Sequence, residues 1–193
     1  DARIEALKQY DTRDEFEKHF YQQSVKQQYA LSLSGGTDNQ NYFVSTGYDR
    51  NRANLVGDQY ERYTINARNS WKMLKDKLDV AAAIYYTGSK NQNNGIDPAT
   101  IRMSNSSSLY PYASLKDENG NAAAITHDFR NSFLENAESK GLLDWRYMPL
   151  DELKLKDKTS TLADYRISGN VSYKILSSLK ADVLYQFWKS NTE

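Results

Sequence analysis

Tyr42-Phe43-Val44-Ser45-Thr46-Gly47-Tyr48-Asp49 alternates apolar and polar residues with a strict period of two. In extended backbone, successive side chains point to opposite faces, so Tyr42, Val44, Thr46 and Tyr48 share one side. Further stretches repeat the pattern. Tyr63, Ile65, Ala67 and Trp71 oppose Arg62, Thr64, Asn66, Arg68 and Ser70. Leu78, Val80, Ala82, Ile84 and Tyr86 come next, then Tyr165, Ile167, Val171, Tyr173 and Ile175, then Leu179, Ala181, Val183, Tyr185 and Phe187. Such segments run about ten residues or more, against the usual five or six of a globular strand. Long strands with short turns at one end and long loops at the other are the pattern of an outer-membrane barrel wall.

Composition alone points elsewhere. Hydrophobic residues make up 39% of the 193, and mean hydropathy is -0.81. In a barrel only alternate residues face lipid, which dilutes the average. No stretch approaches the roughly 20 apolar residues of a membrane helix. Tyrosine dominates the aromatics, 15 against 6 Phe and 3 Trp; a ring with one polar edge suits a membrane interface, a sugar-binding surface or a sheet core. Lys+Arg and Asp+Glu balance at 25 each with no basic run, so the electrostatic footprint of a nucleic-acid binder is missing. The chain has no cysteine, which excludes disulfides and thiolate metal sites. His19 and His127 stand far apart without ligand-like spacing and read as ordinary surface histidines. No metal site and no cofactor is expected.

Along the chain, residues 1–26 read as a loop or helical lead-in, with Ile4, Leu7 and Tyr10 at helical spacing and a second short helix starting near Asp14 and Glu15. Residues 27–88 hold four strands, the first over 27–34, with Gly35-Gly36-Thr37-Asp38-Asn39 and Lys72–Lys77 as short reversals. Residues 89–160 lose the periodicity and form an insert too long for a plain connection. Residues 161–190 hold two more strands around the turn Ser177-Ser178. All-β, as an antiparallel curved sheet of about six strands, is the expected fold. Within the insert, Tyr110-Pro111-Tyr112 and Asp117-Glu118-Asn119-Gly120 suggest a small hairpin, and 128–139 has helical spacing ending at Gly141. The sequence starts at Asp1 without methionine, signal peptide or lipidation motif, so it is expected to be a piece of a longer exported protein.

Three ordered motifs carry a family resemblance. Leu31-Ser32-Leu33-Ser34-Gly35-Gly36-Thr37, then Asn41-Tyr42-Phe43-Val44-Ser45-Thr46-Gly47-Tyr48, then Tyr60-Glu61-Arg62-Tyr63, resemble the barrel of SusC/RagA-type TonB-linked outer-membrane proteins. Gly141-Leu142-Leu143-Asp144-Trp145-Arg146-Tyr147 with Pro149-Leu150 is similar to a loop sequence of one subgroup. The resemblance implies a plugged transmembrane barrel of about 22 strands, of which this chain would be about a quarter. It also implies a place in the outer membrane of a Gram-negative bacterium, in contact with its lipid, and energy from TonB through a plug region. A SusD-like surface lipoprotein would be the partner and a glycan or peptide the substrate, with 89–160 extracellular.

The chemistry of the residues fits a non-enzyme. No nucleophile elbow, zinc helix or phosphate-cradling loop occurs, so no catalytic residue is assigned. Asp14/Glu15, Asp117/Glu118 and Asp151/Glu152 are adjacent in sequence and read as solvated acids rather than the opposed carboxyls of a glycosidase. Tyr110, Tyr112, Trp145 and Tyr147 are the candidates for substrate or partner contact, since flat rings stack on sugars or peptides with little entropy lost. The same rings also suit a local cluster that holds the insert down on the barrel rim. Arg62, Arg68, Asp79, Arg166, Lys174 and Asp182 are expected on the wet face. The competing architecture is a soluble extracytoplasmic β-sandwich that binds glycans, in which a second sheet would cover the apolar face.

Overall fold

The computed structural model describes Glu5, Leu7 and residues 10–193. Ile4, read with Leu7 and Tyr10 as one helical face, lies outside the described residues. Helix α1 covers Thr12–Phe20, and strands follow as β1 (Val25–Thr37), β2 (Gln40–Arg52), β3 (Asp58–Met73), β4 (Leu78–Asn93), β5 (Arg102–Ser104) and β6 (Ser107–Ser108). Short helices α2 (Asn131–Leu134) and α3 (Pro149–Leu155) precede β7 (Thr159–Leu176) and β8 (Leu179–Thr192). Among the described residues, no helix is long and apolar enough to cross a membrane.

Six strands form one sheet in the order β1-β2-β3-β4-β7-β8, while β5 and β6 pair separately. Neighbours are antiparallel, and the short turns β1–β2, β3–β4 and β7–β8 therefore lie at one end of the sheet. The register sets like residues side by side. Tyr29 faces Tyr48, which faces Tyr63; Val80, Val171 and Val183 form another row, and Ile84, Ile167 and Phe187 a third. The opposite face carries ion pairs: Arg62 pairs with Asp49 at 2.6 Å and Arg166 with Asp164 at 3.0 Å.

Several strands run longer than the sequence reading, and two of the differences have a clear physical reason. Gly35 and Gly36 belong to β1, and the first turn is only Asp38-Asn39, because Thr37 pairs with Gln40. Glycine is needed there for close approach, since a Cβ on Gly36 would strike the Gln40 carbonyl oxygen. The second difference is β4, which runs on through the polar Lys90-Asn91-Gln92, paired with Thr159, Ser160 and Thr161. A backbone ladder does not require apolar side chains.

The chain divides into two compact units, the sheet and a second unit of residues 1–24, 53–58 and 93–158. In the six sheet strands only Gly88 and Ser172 are buried, and every residue of β8 is exposed. Ile84 is 51% and Val183 66% exposed. Among the described residues, the second sheet has only two strands. Phe20, Ile101, Leu115, Ile125 and Leu150, the core cluster, all belong to the second unit.

Gly36→Ala should lower the urea midpoint of the sheet in detergent, followed by far-ultraviolet circular dichroism, by the equivalent of about 1–3 kcal/mol. A Cβ on Gly169, mid-strand in β7, meets nothing within 4 Å. Gly169→Ala should instead raise the midpoint, by about 0.5–1 kcal/mol.

Candidate functional site

The second unit assembles around α1. Asp11 caps its N-terminus by accepting from the Arg13 N–H at 2.9 Å. This places Thr12, 5% exposed, against the turn at residues 110–113. The Thr12 hydroxyl donates to the Tyr110 carbonyl at 2.8 Å and accepts from the Ala113 N–H at 2.9 Å. Its own N–H donates to the Pro111 carbonyl at 2.9 Å. The backbone of Tyr110-Pro111-Tyr112 is thus held from behind, and the two tyrosine rings pack 5.2 Å apart. Tyr112 stays 44% exposed.

A different surface forms around Trp145. Asp128 takes φ +57°, its N–H bonded to the Met103 carbonyl at 2.7 Å, and the chain reverses so that Phe129 follows His127 in a tight bridge. Phe129 then stacks on Trp145 at 5.6 Å and on Phe133 at 5.8 Å. Lys140 Nζ lies 5.5 Å from the Phe133 ring centre. Phe129, Phe133, Leu142 and Trp145 are each about half exposed, and Leu143 is 90% exposed. Next to this cluster, Arg146 grips Asp144 in a fork, Nε to Oδ1 at 3.0 Å and Nη2 to Oδ2 at 2.6 Å. The guanidinium hydrogen bonds hold the Asp144 carboxyl well below the usual carboxylate range, at about 2.

Tyr147 belongs to neither surface. Its backbone pairs with Ile125 and its ring packs against the core cluster. Burial, with a smaller contribution from Glu152, pushes its hydroxyl pKa up. His127 lies on it at 5.0 Å, its Nδ1 2.7 Å from the Arg102 carbonyl.

The four rings singled out in the sequence therefore occupy three places: Tyr110 with Tyr112, Trp145 with Phe129 and Phe133, and Tyr147 on the core with His127. Phe129, Phe133, Leu134 and Ala137 have helical spacing within 128–139. The helix that forms is only α2, and Leu134 and Ala137 are the buried residues of that segment. A short 3-10 turn at Glu138–Lys140 ends as expected at Gly141, φ +76°, with the Leu142 N–H reaching the Ala137 carbonyl at 3.1 Å. The spacing of the two phenylalanines was visible, but not their direction.

The adjacent acids have structural uses. Asp117 accepts from the N–H groups of Asn119 and Asn121 and builds the turn at Gly120. Asp151 pairs with Lys154 at 2.9 Å, and Glu15 Oε2 accepts from the Leu115 N–H at 3.3 Å. Among the described residues, no three His, Asp or Glu side chains converge as metal ligands.

No known family profile matches the chain, and no curated protein matches it. Solved structures do resemble it, among them two of one importer. The RagAB peptide importer in its 'closed-closed' state aligns with a TM-score of 0.65 at 15% identity, over 92% of this chain and 19% of that chain. A structure of the RagAB peptide transporter aligns at 0.59, again at 15% identity and with the same coverage of 92% and 19%. At this identity the likeness is one of fold. The chain spans 19% of the importer chain that it matches.

Thr12→Val removes the hydroxyl at constant volume and leaves the Ala113 N–H without its acceptor. It should weaken the seat of the 110–113 turn by about 1–3 kcal/mol, read as faster proteolytic cleavage there, with Thr12→Ser close to wild type. The Asp144 carboxyl lies below its unfolded value, so its contact is present above about pH 4 and lost as pH falls toward 2. Trp145 fluorescence, in a chain whose Trp71 and Trp188 are phenylalanine, should stay constant from neutral pH down to about 4 and change below it.

Proposed function

We propose that this chain is part of the wall of an outer-membrane β-barrel importer of the SusC/RagA type, taking up peptides with the help of a surface lipoprotein. One observation carries the reading: the apolar face of the sheet is bounded by two levels of aromatic rings. At the upper level, Tyr29, Tyr48 and Tyr63 stack with ring separations of 6.3 and 4.6 Å, and Tyr86 meets Tyr165 at 4.9 Å. Trp71 and Tyr173 mark the lower level, each eight residues along its strand from Tyr63 and Tyr165. Eight residues of strand span about 26 Å, close to the roughly 25 Å apolar band of a transmembrane barrel. Between the two levels stand Ile65, Ala67, Ile84, Ala82, Ile167 and Val171, without a charge.

Other features agree. β1 and β8 each offer an unpaired edge in the described sheet, the hazard that closure of a barrel removes. The three short turns share one end, which in outer-membrane barrels faces the periplasm, so residues 93–158 would leave from the outer end. A peptide, rather than a glycan, is the substrate favoured by the likeness to the RagAB importer. TonB coupling and lipoprotein docking belong to the whole protein in this reading. The rings of Tyr110, Tyr112, Trp145, Phe129 and Phe133 are the proposed outer contacts to substrate or lipoprotein.

The purified chain is expected to need detergent and to bind a hydrophobic dye. A monomer stable in plain buffer, with no dye bound, would refute the membrane reading. In the full-length importer, Tyr112→Ala with Trp145→Ala should reduce peptide uptake while heat-modifiable gel mobility, which reports assembly, stays normal. Unchanged uptake would reduce these rings to local packing, and lost assembly would assign them to the fold.

A further inference from the structure

The wet face of the sheet carries a row that a water-filled wall does not need. Phe43 faces Arg68 across β2–β3, and the Arg68 Nη2 donates to the Tyr85 hydroxyl at 3.0 Å across β3–β4. Tyr85 faces Arg166 across β4–β7, and Arg166 faces Trp188 across β7–β8. Ring, guanidinium, ring, guanidinium and ring thus succeed one another over five adjacent strands, about 19 Å at the usual strand spacing. The Trp188 end is pre-organised. Asp164 accepts from Arg166 Nε at 3.0 Å and from Trp188 Nε1 at 2.6 Å, which sets the guanidinium 5.7 Å from the indole ring.

Despite these bonds the groups stay open to ligand. Trp188 is 62% exposed, and a depression of about 360 Å³ lined by Tyr85, Thr87, Asp164, Arg166, Ser168 and Gln186 lies within the row. Arg62 and Arg166 on this face have carboxylate partners, at 2.6 and 3.0 Å. Arg68 hydrogen-bonds only the neutral Tyr85 hydroxyl and no carboxylate among the described residues, so the row holds an uncompensated positive charge between two rings.

Resting on the importer reading above, we propose that this row is a contact track for the transported peptide, selective for acidic and aromatic side chains. Arg68 supplies the forked donor that a carboxylate accepts. Phe43, Tyr85 and Trp188 give flat surfaces on which side chains and peptide planes stack, and a ring already held by Asp164 loses little freedom when it does so.

The test uses the assembled full-length importer and a pair of short peptides, alike except that one carries glutamates where the other carries glutamines. Binding to purified importer and uptake by cells are both measured. Arg68→Gln should weaken the acidic peptide about tenfold and leave the neutral one unchanged. Trp188→Ala should weaken both, with Trp188→Phe keeping most of the binding. Lys174→Gln, which removes a cation from the same face away from the row, should change neither. Variants equal to wild type would overturn the proposal, as would equal losses with Lys174→Gln, which would reduce the effect to the general field. Passive entry of a large antibiotic with peptide preference unchanged would assign the row to packing against another part of the protein, and overturn it too. If the wild-type importer takes up neither peptide, the importer reading falls, and the track with it.

Discussion

The backbone ladder holds this sheet together, because side-chain burial does not. Across β1-β2-β3-β4-β7-β8 both faces are open, and the buried positions are one glycine and one serine. A soluble sheet gains its stability from an apolar face removed from water. Here the same face remains wet in the isolated chain, and Ile65, Ile84, Ile167 and Val183 are each nearly half exposed or more. What the ladder gives is register, and register is what sets Tyr29, Tyr48 and Tyr63 side by side and Tyr86 beside Tyr165. A shift of one residue would turn those rings to the charged face. In the proposed setting, lipid does what a second sheet does elsewhere.

The second unit is built in the opposite way. Among the described residues its ladder is minimal, β5 with β6 and a few isolated bridges, and its order comes from buried groups. Phe20 and Leu115 are fully buried, and Thr12 satisfies the backbone of a turn about a hundred residues away in sequence. Side chains such as Tyr147 are used up in that packing, whereas Tyr112, Phe129 and Trp145 are left over on the outside. Spare rings on a unit with a core of its own are free to serve as contacts, since removing them opens no cavity.

Much of the sheet is legible in the sequence, for a simple reason. A period of two over a dozen residues is hard to mistake for anything else, and the pairing of consecutive strands follows from short turns. Strand ends were less legible, because Asn91 and Gln92 pair through backbone alone. The β3–β4 turn lacked its usual sign as well: Leu74, Lys75 and Asp76 all take positive φ without a glycine among them, although glycine is the residue for which that region is free of strain. In the insert, the helical spacing of Phe129, Phe133, Leu134 and Ala137 does not say which of the four is buried. A single residue, Asp128 at φ +57°, turns Phe129 outward.

The row Phe43–Arg68–Tyr85–Arg166–Trp188 was illegible for a different reason. Each residue alone is an ordinary member of a polar face, and only register across strands as distant as β2 and β8 sets them in line. That register is not set on the wet face. Tyr85 is followed by Tyr86, and Arg166 is preceded by Tyr165, so the two central residues of the row each have a chain neighbour in the tyrosine level on the other side. Contact of Tyr86 with Tyr165 on one face therefore fixes where Tyr85 meets Arg166 on the other. The contacts that would seat the sheet in lipid also align the track that would face the lumen. Neither set can be moved along the strand without moving the other.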